Sequence, residues 1–110
     1  MLTPEIARAF IACLDEGRYY DAHEVLEALW YPRRFEKDPE VLLLKGMINA
    51  SVSFELHRRG REDRAKGPWK SYEKYRIHLD AAVLQTPLYG ELDARIRACA
   101  ARKGIALEYG

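Results

Sequence analysis

The chain reads as a single all-α domain, a compact bundle of five to six helices. Three observations predict this. Pro follows a helix-capping residue three times, at Thr3-Pro4, Asp38-Pro39 and Thr86-Pro87. Thr and Asp accept the orphan N–H bonds of a first turn, and a Pro just inside loses nothing. Apolar residues recur at three- and four-residue spacing, and no stretch alternates as a strand does. Each periodic run then ends on Gly or Pro, at Gly17, Pro32, Gly60 and Gly104. The 110 residues fit one domain, 1–110, long enough to bury a core without staples.

The first helix is expected from Pro4 to Asp15, with Ile6, Phe10, Cys13 and Leu14 as its apolar stripe. The second runs from Tyr19 to Tyr31, where Pro32 stops it. A charged connector, Arg33 to Lys37, follows. The third runs from Pro39 to Arg59. It is apolar on most of its circumference (Val41, Leu42, Leu43, Leu44, Met47, Ile48, Val52, Phe54 and Leu56), which predicts a central position. Gly67-Pro68 marks a weaker fourth start. That helix is expected from Pro68 to Val83, with Trp69, Tyr72, Tyr75, Leu79 and Val83 inward. The fifth runs from Pro87 to Lys103, with Leu88, Leu92, Ile96, Cys99 and Ala100 inward. The tail from Ile105 to Tyr109 is apolar enough to pack back on the domain or on a neighbour. Short connections predict antiparallel neighbours.

Net charge is +1, with 48% apolar and 32% charged residues. That balance argues neither for nor against a nucleic-acid or membrane partner. The start lacks a basic segment ahead of an apolar run, so no signal peptide is expected. No apolar stretch of ~20 residues predicts a membrane span, and a cytoplasmic protein is the default expectation. Cys13 and Cys99 lie far apart on apolar faces and read as small buried hydrophobes.

The stretch His23-Glu24-Val25-Leu26-Glu27-Ala28-Leu29-Trp30 carries the most chemistry. Helical residues turn by about 100°, so His23, Glu27 and Trp30 project together. The apolar set Ala22, Val25, Leu26 and Leu29 lies a quarter-turn away. In the third helix Gly46, Ala50, Ser53 and His57 share one face, with Asn49 at its margin. If the second and third helices pair antiparallel, His57 lies level with His23. His23, Glu27 and His57 then converge, with Ser53 or Asn49 a turn deeper. Two imidazoles and a carboxylate suit a divalent transition metal such as zinc, iron or manganese. They suit acid–base chemistry equally, with Glu24 as a candidate general base. They also make a structural polar node, in which Glu27 satisfies His23 or Trp30. The zincin pattern fails, because Glu27 stands where it needs a second His. No pair of Glu-x-x-His motifs exists for a di-iron bundle.

A second candidate is the basic connector carrying Arg58, Arg59, Arg61 and Arg64, followed by Trp69. It suits an anion or RNA, although Glu62 and Asp63 interrupt it and a solvated surface is the plainer reading. Arg33 and Arg34 would need to share its face to strengthen it. Tyr19, Tyr20, Tyr72, Tyr75 and Tyr89 suit core edges, and Tyr19 and Tyr20 suit the mouth of a pocket by His23. His78 reads as structural or exposed. No phosphate-binding glycine loop, nucleophile elbow or Cys–His pair is present.

The run from Gly17 to Trp30 resembles the hallmark of the domain of unknown function 309 family: a glycine, an aromatic pair, then Ala-His-Glu-x-Leu-Glu-x-x-Trp. Lys45-Gly46-Met47-Ile48-Asn49 resembles its Gln-Gly-Leu-Ile-Gln. His57 matches its following histidine, and Gly60 with Lys66-Gly67 resembles its later glycine-rich turn. The resemblance covers about residues 5–80. Asn49 departs from the usual longer Gln, and Pro68 from the usual Ala. The resemblance implies a small helical bundle with no established activity and points at His23, Glu27, Trp30 and His57. The leading expectation is a non-enzymatic structural or interaction module built on that polar cluster, with self-association open. The competing one is a metal-binding protein or metal-dependent hydrolase using His23, Glu27 and His57. A weak RNA or anion binder is the third, with nucleic acid the least favoured partner.

Overall fold

Thr3 and Asp38 cap the first and third helices as their sequences require. Thr3 Oγ1 accepts from the Ile6 N–H at 3.2 Å, and Asp38 Oδ1 from the Glu40 N–H at 2.9 Å. A computed structural model describes residues 1–105 of the chain. They form α1 (Pro4–Asp15), α2 (Tyr19–Trp30), α3 (Pro39–Arg58), α4 (Glu62–Tyr75), α5 (Leu79–Gln85) and α6 (Leu88–Arg102), with 3₁₀ turns at Tyr31–Arg33 and Arg76–His78. No strand occurs among the described residues. Nor is any described helix long and apolar enough to cross a membrane. Gly17 and Gly60 sit at φ +72° and +74°, the left-handed geometry that reverses the chain after a helix. The Arg18 N–H then reaches back to Cys13 O at 2.8 Å, and that of Arg61 to Leu56 O at 2.8 Å.

The fourth helix differs from its expectation. It begins at Glu62, six residues before Pro68, and Pro68 lies inside it. The N–H that Pro lacks would have bonded the Arg64 carbonyl. Arg64 is exposed, so water can satisfy that oxygen. The expected single helix is also divided by the 3₁₀ turn, which gives six α-helices, within the expected five to six. The Thr86-Pro87 start is one residue late, and no side chain caps α6.

α3 is central: it packs against α2, α4, α5 and α6. Rings form a chain across the core. Tyr19 meets Phe54 at 5.6 Å, Phe54 meets Trp69 at 5.8 Å, and Trp69 meets Tyr72 at 5.1 Å between centroids. This joins α2, α3 and α4 through tilted aromatic contacts. Cys13 and Cys99 are free and buried, as expected. Ile105 packs at the core edge. The rest of the expected tail, 106–110, lies outside the described residues.

Two buried carboxylates tie the bundle together. Asp93 in α6 accepts from the Tyr72 hydroxyl, from Arg76 Nε at 2.9 Å and Nη2 at 3.1 Å, and from Arg97 Nε at 2.9 Å. Burial pushes its carboxyl up, but the Arg76 and Tyr72 hydrogen bonds outweigh that and hold it below the usual range. Glu40 at the start of α3 accepts from the Tyr89 hydroxyl at 2.6 Å and from Arg33 Nη1 at 3.1 Å.

Candidate functional site

The start of α2 and the far end of α3 enclose a cleft of about 290 Å³. Its walls are Tyr19, Tyr20, His23, Val52, Glu55, Leu56 and Arg59. The antiparallel register expected of these helices is therefore the one that forms. Tyr19 is fixed from behind by Phe54 and Cys99, whose thiol donates to the tyrosine oxygen at 3.9 Å. The Lys103 ammonium lies 4.5 Å above its ring. Burial pushes the Tyr19 hydroxyl up to about 12, so it stays neutral at physiological pH.

His23 is the imidazole of the cleft. Its Nδ1 lies 3.0 Å from the Tyr20 carbonyl oxygen. A carbonyl only accepts, so Nδ1 carries a proton. Nε2 lies 3.3 Å from Glu27 Oε2, which places the i,i+4 pair where helix geometry predicts it. The Tyr20 ring leans on the imidazole at 5.1 Å and stays more than half exposed. It forms an exposed rim beside the buried Tyr19 wall.

The opposite wall is set by charge. Glu55 is buried and held by its own helix. Arg58 donates to it at 2.8 Å and 2.7 Å, and Arg59 Nε at 2.7 Å. The Arg58 hydrogen bonds lead in lowering its carboxyl to about 2, against an opposing push from burial. Glu55 is thus ionised and most of its acceptor capacity is taken, by three hydrogen bonds. Most of the polar capacity left on this wall is the remaining guanidinium N–H groups of Arg59.

The expected site residues are only partly brought together. His23 and Glu27 pair, and His23 lines the cleft. His57 does not line it. The Gly46, Ala50, Ser53 and His57 face turns towards α4 instead. Ser53 Oγ donates to the Ala65 carbonyl of α4 at 2.8 Å. A Cβ on Gly46 would lie 2.8 Å from the Tyr75 Cβ. Small residues let α4, not α2, approach closely, and His57 continues that line one turn beyond Ser53. Among the described residues no group of three or more His, Cys, Asp or Glu side chains is placed to hold a metal ion. Convergence of His23, Glu27 and His57 as ligands is thus not what the helices produce. Asn49 donates to Lys45 O of its own helix at 2.9 Å. Trp30 packs at the core edge and meets Tyr31 at 6.4 Å. Glu24 is exposed and does not line the cleft.

The arginine stretch is divided. Arg58 and Arg59 serve Glu55, while Arg61 and Arg64 are exposed. Arg33 and Arg34 do not join them. Arg33 binds Glu36 and Glu40 at the other end of α3, and Arg34 lies over the Tyr31 and Phe35 rings. The sequence reading missed Glu55 as a cleft residue. Its signal was present, since arginines three and four residues after a glutamate share its helix face.

The model of the family described as Domain of unknown function (DUF309) matches residues 7–67. Those residues contain both walls of the cleft. No curated protein and no solved structure matches the chain.

Proposed function

The chain belongs to the DUF309 family, and on that premise we propose that it is a non-enzymatic recognition module whose α2–α3 cleft seats an apolar side chain of a partner protein, with a neighbouring acidic residue read by Arg59. The carrying observation is the composition of the cleft. Val52, Leu56, Tyr19 and Tyr20 supply apolar and aromatic wall, and the one lining carboxylate, Glu55, already accepts three hydrogen bonds from Arg58 and Arg59. The arginine beside it, Arg59, keeps guanidinium N–H groups to donate. A volume of about 290 Å³ sits at the lower edge of ligand sites, which run ~300–1,000 Å³, so it suits a side chain better than a cofactor. The exposed Tyr20 ring can close over the guest.

The test is a titration followed by NMR, with blocked Leu-Glu and Tyr-Glu dipeptides as probes. Shifts should concentrate at Tyr20, His23, Leu56 and Arg59. They should shrink when Gln replaces Glu in the probe, and vanish in Leu56→Arg. Equal binding of the Glu and Gln probes would remove Arg59 from the reading. Shifts spread over the whole surface would remove the cleft.

A further inference from the structure

The end of α6 lies against the cleft. The Cys99 thiol reaches the Tyr19 oxygen at 3.9 Å, and the Lys103 ammonium stands 4.5 Å above the Tyr19 ring. Tyr19 is itself a cleft wall. Past Arg102 the chain turns at Gly104, where φ is +74°. The Ile105 N–H closes that turn on Ala100 O at 2.9 Å, and Ile105 packs at the core edge. The helix that supports Tyr19 from behind therefore also delivers the chain to the end of the bundle where α2 starts and α3 stops.

The sequence that follows is Ala106-Leu107-Glu108-Tyr109. It holds what the cleft is suited to take, an apolar side chain next to a carboxylate. The pairs Leu14-Asp15, Leu26-Glu27 and Leu92-Asp93 are committed to helices. Phe35-Glu36 lies ahead of α3, and that helix runs 20 residues before its end at Arg58, about 30 Å. An extended residue covers about 3.3–3.6 Å. Leu107 thus lies within about 7 Å of chain from Ile105, and Glu108 within about 11 Å. Charge agrees with reach. Arg59 keeps N–H groups to donate, and the Lys103 ammonium rests on a ring rather than on a carboxylate.

Resting on the recognition reading of the cleft, we infer that its resident guest is this segment of the same chain, with Leu107 in the apolar slot and Glu108 read by Arg59. A short tether holds such a guest at an effective concentration of millimolar order, so a weak contact is enough to fill the site. The same segment from a second copy has the same chemistry but lacks the tether. A partner then binds by displacing the guest. A cleft that is open about one fifth of the time shows an apparent partner affinity weakened about fivefold. The segment therefore sets a threshold that a competing apolar-acidic pair must exceed.

The experiment compares the full chain with its Leu107→Ser/Glu108→Gln variant, both positions lying beyond α6. Far-ultraviolet circular dichroism and a melting curve verify that the helices are retained. In NMR spectra of the two proteins without probe, the signals of Tyr20, Leu56 and Arg59 should differ, and the difference should persist on dilution. Blocked Leu-Glu should bind the variant about fivefold more tightly than the parent chain. Equal affinity with unchanged cleft signals overturns the inference and leaves the recognition reading standing. Failure of the probe to bind either chain removes the recognition reading, and the resident guest with it. Weaker binding by the variant also overturns the inference, because the segment then builds the cleft instead of filling it. A signal difference that fades on dilution assigns the guest to a second copy and overturns it too.

Discussion

Asp93 and Glu55 are both carboxylates held by two arginines. Asp93 is bonded from α4, from the 3₁₀ turn after it, and from its own helix, by Tyr72, Arg76 and Arg97. Glu55 is bonded only from its own helix end, by Arg58 and Arg59. The first cluster has a fully buried centre, Asp93 and Tyr72, and closes a gap between distant parts of the chain. The second is half open and forms the wall of a cleft. Like chemistry thus serves two purposes, and sequence separation decides which. A cluster assembled from remote segments forms only when the fold is complete, so its energy belongs to the fold. A cluster assembled within one turn forms wherever that helix forms, so it is free to shape a surface.

The sharpest way to break this comparison is Asp93→Ala. It removes the acceptor shared by the buried Tyr72 hydroxyl and the partly buried Arg76 guanidinium, a change that costs ~3–5 kcal/mol in other buried pairs. Urea denaturation should report a loss of that order. At ~4–8 °C per kcal/mol for a domain of this size class, the melting point should fall by more than about 10 °C. A shift of only a few degrees would show that the cluster is not a joint between helices.

Gly46→Ala comes next. Its methyl would meet the Tyr75 Cβ at 2.8 Å, and neither atom is the end of a flexible chain. Overpacking of this kind costs ~1–3 kcal/mol. The companion Gly90→Ala, inside α6, meets only the Val83 Cγ2 at 3.7 Å, an ordinary contact, and replaces a helical glycine, so it should gain up to ~1 kcal/mol. Opposite signs from two glycine substitutions, read by thermal melts, would show that close approach is confined to the α3–α4 seam.

Acid should separate the clusters too. Glu55 is held at about 2 and Asp93 also lies below its ordinary value. A depressed carboxyl contributes stability that is present above its unfolded value and lost as pH falls through the folded one. Stability should therefore decline from about pH 4.5 towards pH 2. Added salt should shrink the Glu55 share of that decline more than the Asp93 share, because the arginines on Glu55 are more than half exposed and are screened most readily. At the alkaline end Tyr19, raised to about 12, gives the reverse sign. Its contribution is intact below pH ~10 and fades as pH rises towards 12.

Much of the fold was legible. Thr3, Asp38, Gly17 and Gly60 fixed the limits of α1, α2 and α3 because caps and left-handed glycines act locally. Pro68 misled for the same reason. Its local signal says helix start, but tertiary packing of Ala65, Trp69 and Tyr72 carries the helix through it. The site was half legible. The levels of His23 and the end of α3 followed from an antiparallel hairpin. Which face of α3 met α2 did not, since a row of small residues announces a close neighbour without naming it. Asp93 had a visible signature, as Tyr89, Asp93, Ile96 and Ala100 share one stripe. A carboxylate within a buried stripe needs partners, but those partners, Tyr72 and Arg76, lie a helix away and no local pattern connects them.

Glu55→Gln should have the smallest effect on stability and the most specific one on the cleft. The arginines are more than half exposed, and screened pairs within one helix are worth ~0.2–1 kcal/mol, so the melting point should move by no more than a few degrees. The amide keeps the shape of the carboxylate but can no longer draw in two guanidinium groups. Arg59 is then freed to face the cleft with all its donors. Blocked Leu-Glu should bind this variant more tightly than the parent chain, by up to about tenfold for one charge-assisted bond. If binding weakens instead, Glu55 holds Arg59 in its working position, and the carboxylate is part of the recognition machinery rather than its competitor.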